Sequence, residues 1–259
     1  DSEIHVDARL DEAAWRDALV VQIDTEVRPA ENTPAPVMTD VLLAYSESHL
    51  YAAFRAYDPD PSQICARLCD RDDLWDDDWI CLAVDTFNGE RSCFEFFCNP
   101  FGVQADAEEG TRGAGNSWDV IWDSAGRITD EGYLVEMAIP FSSLNFQRTD
   151  GDQIWGLDAI RSYPRTVRHH LGAFPRERDD NCYFCQMDKI IGFAGATPGR
   201  NIELDPTFSA MRIDGRDDFP NGEMSELDTE TDAGLTGRWG ITPNIKLSAA
   251  VNPDFSQVE

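Results

Sequence analysis

The apolar runs of this chain are short, and they recur about every ten to twelve residues. "DVLLAYS" (40–46), "HLYAAFRAYD" (49–58), "WICLAVDTF" (79–87), "RSCFEFFCN" (91–99), "YLVEMAIPF" (133–141) and "IWGLDAIRSYP" (154–164) are each bounded by Pro, Gly, Asn, Asp or charge. No long stretch of helical period fills the gaps. Short, evenly spaced runs without intervening helices predict an antiparallel β-sandwich or barrel rather than alternating strands and helices. The fold class expected is all-β, a jelly-roll-like sandwich. One helix is expected, over Leu10–Ala18 ("LDEAAWRDA") with Asp11 as its cap. "FSSLNF" reads as a short helical turn.

Asn88-Gly89 sits between two of the predicted strands, and both residues tolerate positive φ. Read as a two-residue turn, it sets Trp79 opposite Cys98 and Cys81 opposite Phe96. Trp79, Cys81, Ala83 and Asp85 then share a face with Phe94, Phe96 and Cys98, and Cys93 and Glu95 point to the other side. A slip of one residue would reverse this assignment.

Charge narrows the partners. With 49 acidic and 21 basic residues, the formal net charge is −28. Phosphate binding needs a basic face, so nucleic acid is excluded as an expected partner, and an anionic membrane surface would repel the chain. The densest acidity lies in "DRDDLWDDDWICLAVD" (70–85), where Asp72, Asp73, Asp76, Asp77 and Asp78 flank Trp75 and Trp79. Carboxylates so close raise one another's pKa values unless something compensates them. A hard cation such as calcium would do so with loop oxygens, and these five aspartates are its expected ligands. A solvated acidic loop is the competing reading.

Seven cysteines occur, with Cys182 and Cys185 in a CxxC and Cys65 and Cys69 in "CARLC". No CxxCH is present, so covalent c-type haem is excluded. The lone CxxC lacks the second pair that a zinc site would want. Disulfides are expected, at Cys182, Cys185, Cys65 and Cys69. His169-His170 near the CxxC fits no zinc spacing well.

The chain changes character near Gly195. Residues 1–195 form one expected domain, and 196–259 a linker followed by strands of alternating polarity. "RIDGRDDFPNGEMSELDTETD" (212–232) reads as a polar connecting loop. The opening at Asp1 reads as a processed form, and a longer protein is expected beyond Glu259. GxSxG, HExxH and Gly-rich phosphate loops are absent, so no catalytic role is expected.

The ordered series "IHVDARLDEAAWRDA", "LLAYSESHLYAAFRAYDPDP", "DDDWICLAVDT", "FEFFCNPFGVQAD", "SWDVIWDSA", "GYLVEMAIPFSSLNF" and "WGLDAIRSYPR" resembles the family-nine carbohydrate-binding modules and the related DOMON domains. The resemblance spans roughly residues 1–195. It is strongest to a bacterial subgroup in which such a module precedes an outer-membrane-type β region. It implies a sandwich followed by the first strands of a barrel-like region, at the bacterial outer membrane, periplasm or cell surface.

Sugar-binding members of that family clamp a terminal sugar between two tryptophans, because the C–H faces of a sugar stack on indole while polar groups read its rim. The resemblance places Trp75 at the first clamp position and Asn99 at a hydroxyl-binding Asn. Cys81 stands where sugar-binding members carry Glu, and Phe97 where they carry Arg. A second clamp tryptophan is missing late in the domain, and Tyr183 is the expected substitute. Trp118, four residues before Trp122, is a further groove candidate. The expected function is a non-catalytic module for a saccharide or surface glycan, attached to a membrane β region of the same chain. The alternatives are a plug-like structural domain and a redox module holding non-covalent haem or a metal. Haem is disfavoured, since His5, His49, His169, His170 and five methionines are the only usual ligands besides cysteine.

Overall fold

Each of the quoted apolar runs falls on a strand, and the strands pair antiparallel. The computed structural model describes residues 4–110, 113–115, 118–149, 151–198, 202–216, 221–242 and 245–252. Two units result, Asp1–Gly199 and Arg200–Glu259.

The first unit holds β1 (Leu19–Arg28), β2 (Thr33–Tyr45), β3 (His49–Tyr57), β4 (Trp79–Asp85), β5 (Ser92–Cys98), β6 (Gln104–Gly110), β7 (Gly113–Gly115), β8 (Asp123–Thr129), β9 (Gly132–Pro140), β10 (Gln153–Pro164), β11 (Arg168–Gly172) and β12 (Asp188–Gly192). Their order is β7-β6-β5-β4-β10-β11-β1-β2-β3-β9-β8, with β12 also on β10. The path doubles back on itself as a sandwich. Ile80, Leu82, Val84, Phe94 and Phe96 from one layer meet Leu43, Phe54, Val135 and Met137 from the other in one continuous core. Each such fully buried side chain contributes roughly 1.5–3 kcal/mol. The spacing of the short apolar runs, not any single motif, selects this arrangement.

β4 and β5 are buried on both faces. Their outer face carries Trp79, Cys81 and Phe97 beside Ile160 of β10. Further along, Ala83 and Cys93 lie beneath Phe184 and Met187. An antiparallel sheet can leave one face to water, and here loops cover that face instead. The uncovered part becomes the candidate site.

Three expectations are corrected. The β4–β5 register is one residue from the one the Asn88-Gly89 turn predicts: Cys81 lies opposite Phe97 and Ala83 opposite Glu95. The cause is Asp85. Its carboxylate accepts hydrogen bonds from the backbone N–H of Phe87 at 3.1 Å and of Glu90 at 2.8 Å, and its carbonyl accepts from Asn88 at 3.1 Å. With Asn88 and Glu90 both at positive φ, these bonds close a longer loop than a two-residue turn. Cys93 and Glu95 therefore share a face with Cys81, and Cys98 points into the main core.

The expected helix over Leu10–Ala18 shrinks to a 3-10 turn, Ala13–Arg16. Tertiary bonds win there. Glu136 accepts from the Trp15 indole N–H and from the N–H groups of Asp7 and Ala8, so the segment is pinned residue by residue.

The expected loop at 212–232 is mostly strand. β13 (Ile202–Arg216), β14 (Met224–Thr242) and β15 (Ile245–Val251) form a three-stranded antiparallel sheet in the second unit. Polar composition does not prevent pairing when the backbone ladder runs on from both sides. Cross-strand partners put Ile202, Leu204, Phe208, Leu235, Trp239, Leu247 and Val251 on one face, all exposed. The other face carries Asp205, Thr207, Ser209, Glu230, Asp232, Thr236 and Ser248. Among the described residues no helix is long and apolar enough to cross a membrane.

Candidate functional site

The acidic stretch is a scaffold. Asp77 and Asp78 are buried, while Asp72, Asp73 and Asp76 are exposed. The Asp77 carboxylate accepts from the Arg67 backbone N–H at 3.1 Å, from Arg67 Nε at 3.0 Å and from Asn99 Nδ2 at 2.9 Å. Asp78 accepts from the Cys65 N–H and from Arg165 Nη1, both at 2.9 Å. Arg165 also binds the buried Asp58. Arg168 donates to the carbonyls of Asp76 and Asp77. Burial still holds the Asp78 carboxyl above its ordinary pKa, against the pull of Arg165. Calcium needs six to eight oxygens around one point. The five aspartates do not converge in that way, and the two buried ones are engaged by arginine and backbone, so this donor set does not fit a calcium site.

What the scaffold presents is Trp75. This indole is 48% exposed. Its ring stands edge-on to Phe97 at 5.1 Å and to Trp79 at 6.3 Å. Phe97 and Trp79 are themselves edge-to-face at 5.3 Å. Such contacts fix a ring's direction while leaving its free face to a ligand.

The other expected site residues separate. Cys81 and Phe97 are buried beneath Trp75 in one cluster with Ile160. Asn99 is wholly buried. It donates to Asp77 and to the Arg67 carbonyl, and its Oδ1 accepts from Phe101 and Val103 N–H. It ties the acidic loop to the next turn and has no donor left for a ligand. Trp118 packs on Phe94 and Phe96 at 4.9 and 5.7 Å, on the core side and away from the outer face.

Tyr183 does reach the outer face. It lines a cavity of about 430 Å³ together with Glu95, Glu109, Ile160, Arg176 and Asn181. Ile160 belongs both to this lining and to the cluster that holds Phe97 and Trp79, the rings Trp75 stands on, so cavity and indole lie on the same outer face. The Tyr183 hydroxyl donates to Asp158 at 3.2 Å, Arg176 donates to the same oxygen at 2.5 Å, and the guanidinium lies over the Tyr183 ring at 4.6 Å. Burial pushes Asp158 upward, and Arg176 opposes it. The volume and the mix of ring faces with polar groups are those of a small-ligand site.

Cys182 and Cys185 form a disulfide that closes the loop carrying Tyr183. Cys65 and Cys69 do not pair; both are free. Residues 64–70 contain no turn, and Arg67 between the two is held on Asp77. An extended chain carries residues four apart beyond the Cα separation a disulfide tolerates, about 7 Å.

Glu95, Glu109, Asp158 and Arg176 are functional candidates that the sequence reading missed. The available signal was Glu95 itself, a lone charge in the apolar run "SCFEFFC". Burial and then the neighbouring Glu109 push the Glu95 carboxyl up to about 8.

Comparison with known proteins identifies the fold and the family. Among solved structures, a family 9 carbohydrate-binding module from Caldicellulosiruptor kristjanssonii, determined in complex with cellotriose, superposes with a TM-score of 0.53 at 13% identity, covering 73% of this chain and 88% of that one. A protein from Bacteroides uniformis described as a candidate carbohydrate-binding protein gives 0.52 at 14% identity, covering 68% and 87%. At such identities the likeness is one of fold. No curated protein matches the chain. The model of the family described as carbohydrate family 9 binding domain-like matches residues 6–163, more than half of the chain, and the protein belongs to that family.

Proposed function

We propose that the first unit is a non-catalytic saccharide-binding module whose ligand lies on the outer face, stacked on Trp75 and reaching into the cavity on that face. The observation that carries this reading is the pose of Trp75. A large indole left half in water is costly unless something covers it, and here two buried rings and an arginine-buttressed loop hold it in place. Membership of the family and the fold shared with a cellotriose-bound module support a sugar as the covering group. Cys81 and Phe97 cannot read hydroxyls, so that task falls to Tyr183, Arg176 and the acids of the cavity. The ligand class is a glucan-like chain or a surface glycan. Binding of the purified chain to a panel of soluble and insoluble polysaccharides tests this. Saturable binding that Trp75→Ala abolishes, with melting unchanged, is the expected result; no binding across the panel counts against it.

We also infer that the second unit begins a membrane β region, placing the module at the bacterial outer membrane, facing the periplasm or the cell surface. The apolar face of its sheet, backed by a polar one, supports this, since lipid-facing and interior-facing residues alternate in membrane barrels. Fractionation of bacteria expressing the chain with and without residues 200–259 tests it. Membrane association of the shortened form would contradict it.

A further inference from the structure

Cys93, Glu95 and Glu109 each offer one ligand atom, and these atoms lie within 4.8 Å of one another. Cys93 and Glu109 are directly opposed across β5 and β6, and Glu95 is the next residue of β5 on the same face. The group is built into a sheet, so its geometry is held by two backbone ladders.

Glu95 and Glu109 share a side-chain hydrogen bond, and the thiol beside them is the member without a partner among the described residues. Cys93 is only 1% exposed and is a free thiol, and it makes no hydrogen bond among the described residues. Glu95 is 8% exposed. Among the described residues neither Glu95 nor Glu109 forms an ion pair. The cation whose field reaches Glu95 is Arg176, and its guanidinium is bound to Asp158. Both glutamates line the cavity, so the cluster opens onto it. Two carboxylates set side by side without a countercharge are unfavourable. The fold supplies the thiol, which no carboxylate pair needs for itself.

We propose that Cys93, Glu95 and Glu109 hold a thiophilic divalent cation of the zinc type, with its fourth position facing the cavity. The donor set chooses the metal. Calcium and magnesium take oxygen in six or more positions. One sulfur and two carboxylate oxygens suit a tetrahedral zinc with one position open to water or a ligand oxygen. Burial holds the Cys93 thiol well above its ordinary pKa, and coordination reverses that by stabilising the thiolate. Coordination displaces the thiol proton. The site shares the cavity acids with the saccharide reading but rests on a different observation, and its failure would leave the stacking on Trp75 standing.

The test uses the full chain, freed of metal with a chelator and dialysed. Zn²⁺ alone is titrated by calorimetry, and Co²⁺ alone by absorbance. One equivalent of Zn²⁺ is expected to bind, and Co²⁺ to give a sulfur-to-metal charge-transfer band. Glu109→Gln, at a half-buried position, is expected to weaken Zn²⁺ by at least about tenfold, and Cys93→Ser to abolish the cobalt band. Cys65→Ser with Cys69→Ser is expected to change neither. Absence of stoichiometric binding would overturn the proposal. So would a band that survives Cys93→Ser or disappears with Cys65 and Cys69. If Cys93→Ser does not fold, Glu109→Gln decides the matter, because unchanged Zn²⁺ affinity in that variant removes the site.

Discussion

Two groups of acids lie along the same outer face and behave oppositely. In the loop at 70–78 the buried carboxylates, Asp77 and Asp78, are met by arginines, an asparagine and backbone N–H groups. On β5 and β6, Glu95 and Glu109 meet each other. Acid density in the sequence is therefore a poor guide to which carboxylates the fold leaves without an arginine. Of the five aspartates in seven positions, the two buried ones brace the loop that carries Trp75, while Glu95 and Glu109, on neighbouring strands, share a hydrogen bond and form no ion pair among the described residues. What matters is whether the fold delivers a basic partner.

The largest effect that would break this contrast is the removal of a brace. Arg165→Ala removes the cation nearest the buried Asp58 and Asp78 and leaves them Arg161 and single backbone N–H groups, and a loss of about 3 kcal/mol in urea denaturation is expected. A loss below about 1 kcal/mol would mean that these acids are not paired as described. Saccharide binding should fall along with stability, because the loop that presents Trp75 loosens.

The glutamate pair should respond to pH with the opposite sign. The folded chain keeps the Glu95 proton up to about pH 8, whereas the unfolded chain releases it near the ordinary value of 4.5. Stability from this group is thus full below about pH 4.5 and is lost as pH rises through about 8. Glu95→Gln should flatten that decline in a series of melting curves. An unchanged slope would show that Glu95 is not the group responsible.

Trp75→Ala should separate the brace from what it carries. The indole is half in water, so stability should change by no more than about 1 kcal/mol, while sugar affinity falls by at least about tenfold, as for an exposed aromatic anchor. Smallest of all are Asp73→Asn and Asp76→Asn. Both side chains are exposed, and each change should stay within about 0.5 kcal/mol. A larger loss in calcium-containing buffer than in chelator would revive a calcium role for the loop.

The sandwich was legible because alternation of short apolar runs is a local property. The family resemblance singled out Trp75 and Tyr183, and the structure leaves the indole half-exposed and sets the tyrosine in a cavity lining. The register of β4 on β5 was not, because it turns on one carboxylate, Asp85, capping its own loop. That single residue decides whether Cys93 and Glu95 face Cys81 or the core, and so hides the cluster from any reading of the turn alone. Cys65 and Cys69 misled for a related reason: spacing in sequence says nothing about whether the chain between them turns.

The most direct test is a calorimetric titration of the intact chain with cello-oligosaccharides and with a panel of surface glycans, repeated with Trp75→Ala. Saturable binding by the native chain, lost in the variant at unchanged melting temperature, is the predicted result. Binding that survives the loss of the indole, or none with any glycan, would contradict the assignment of the outer face as the saccharide site.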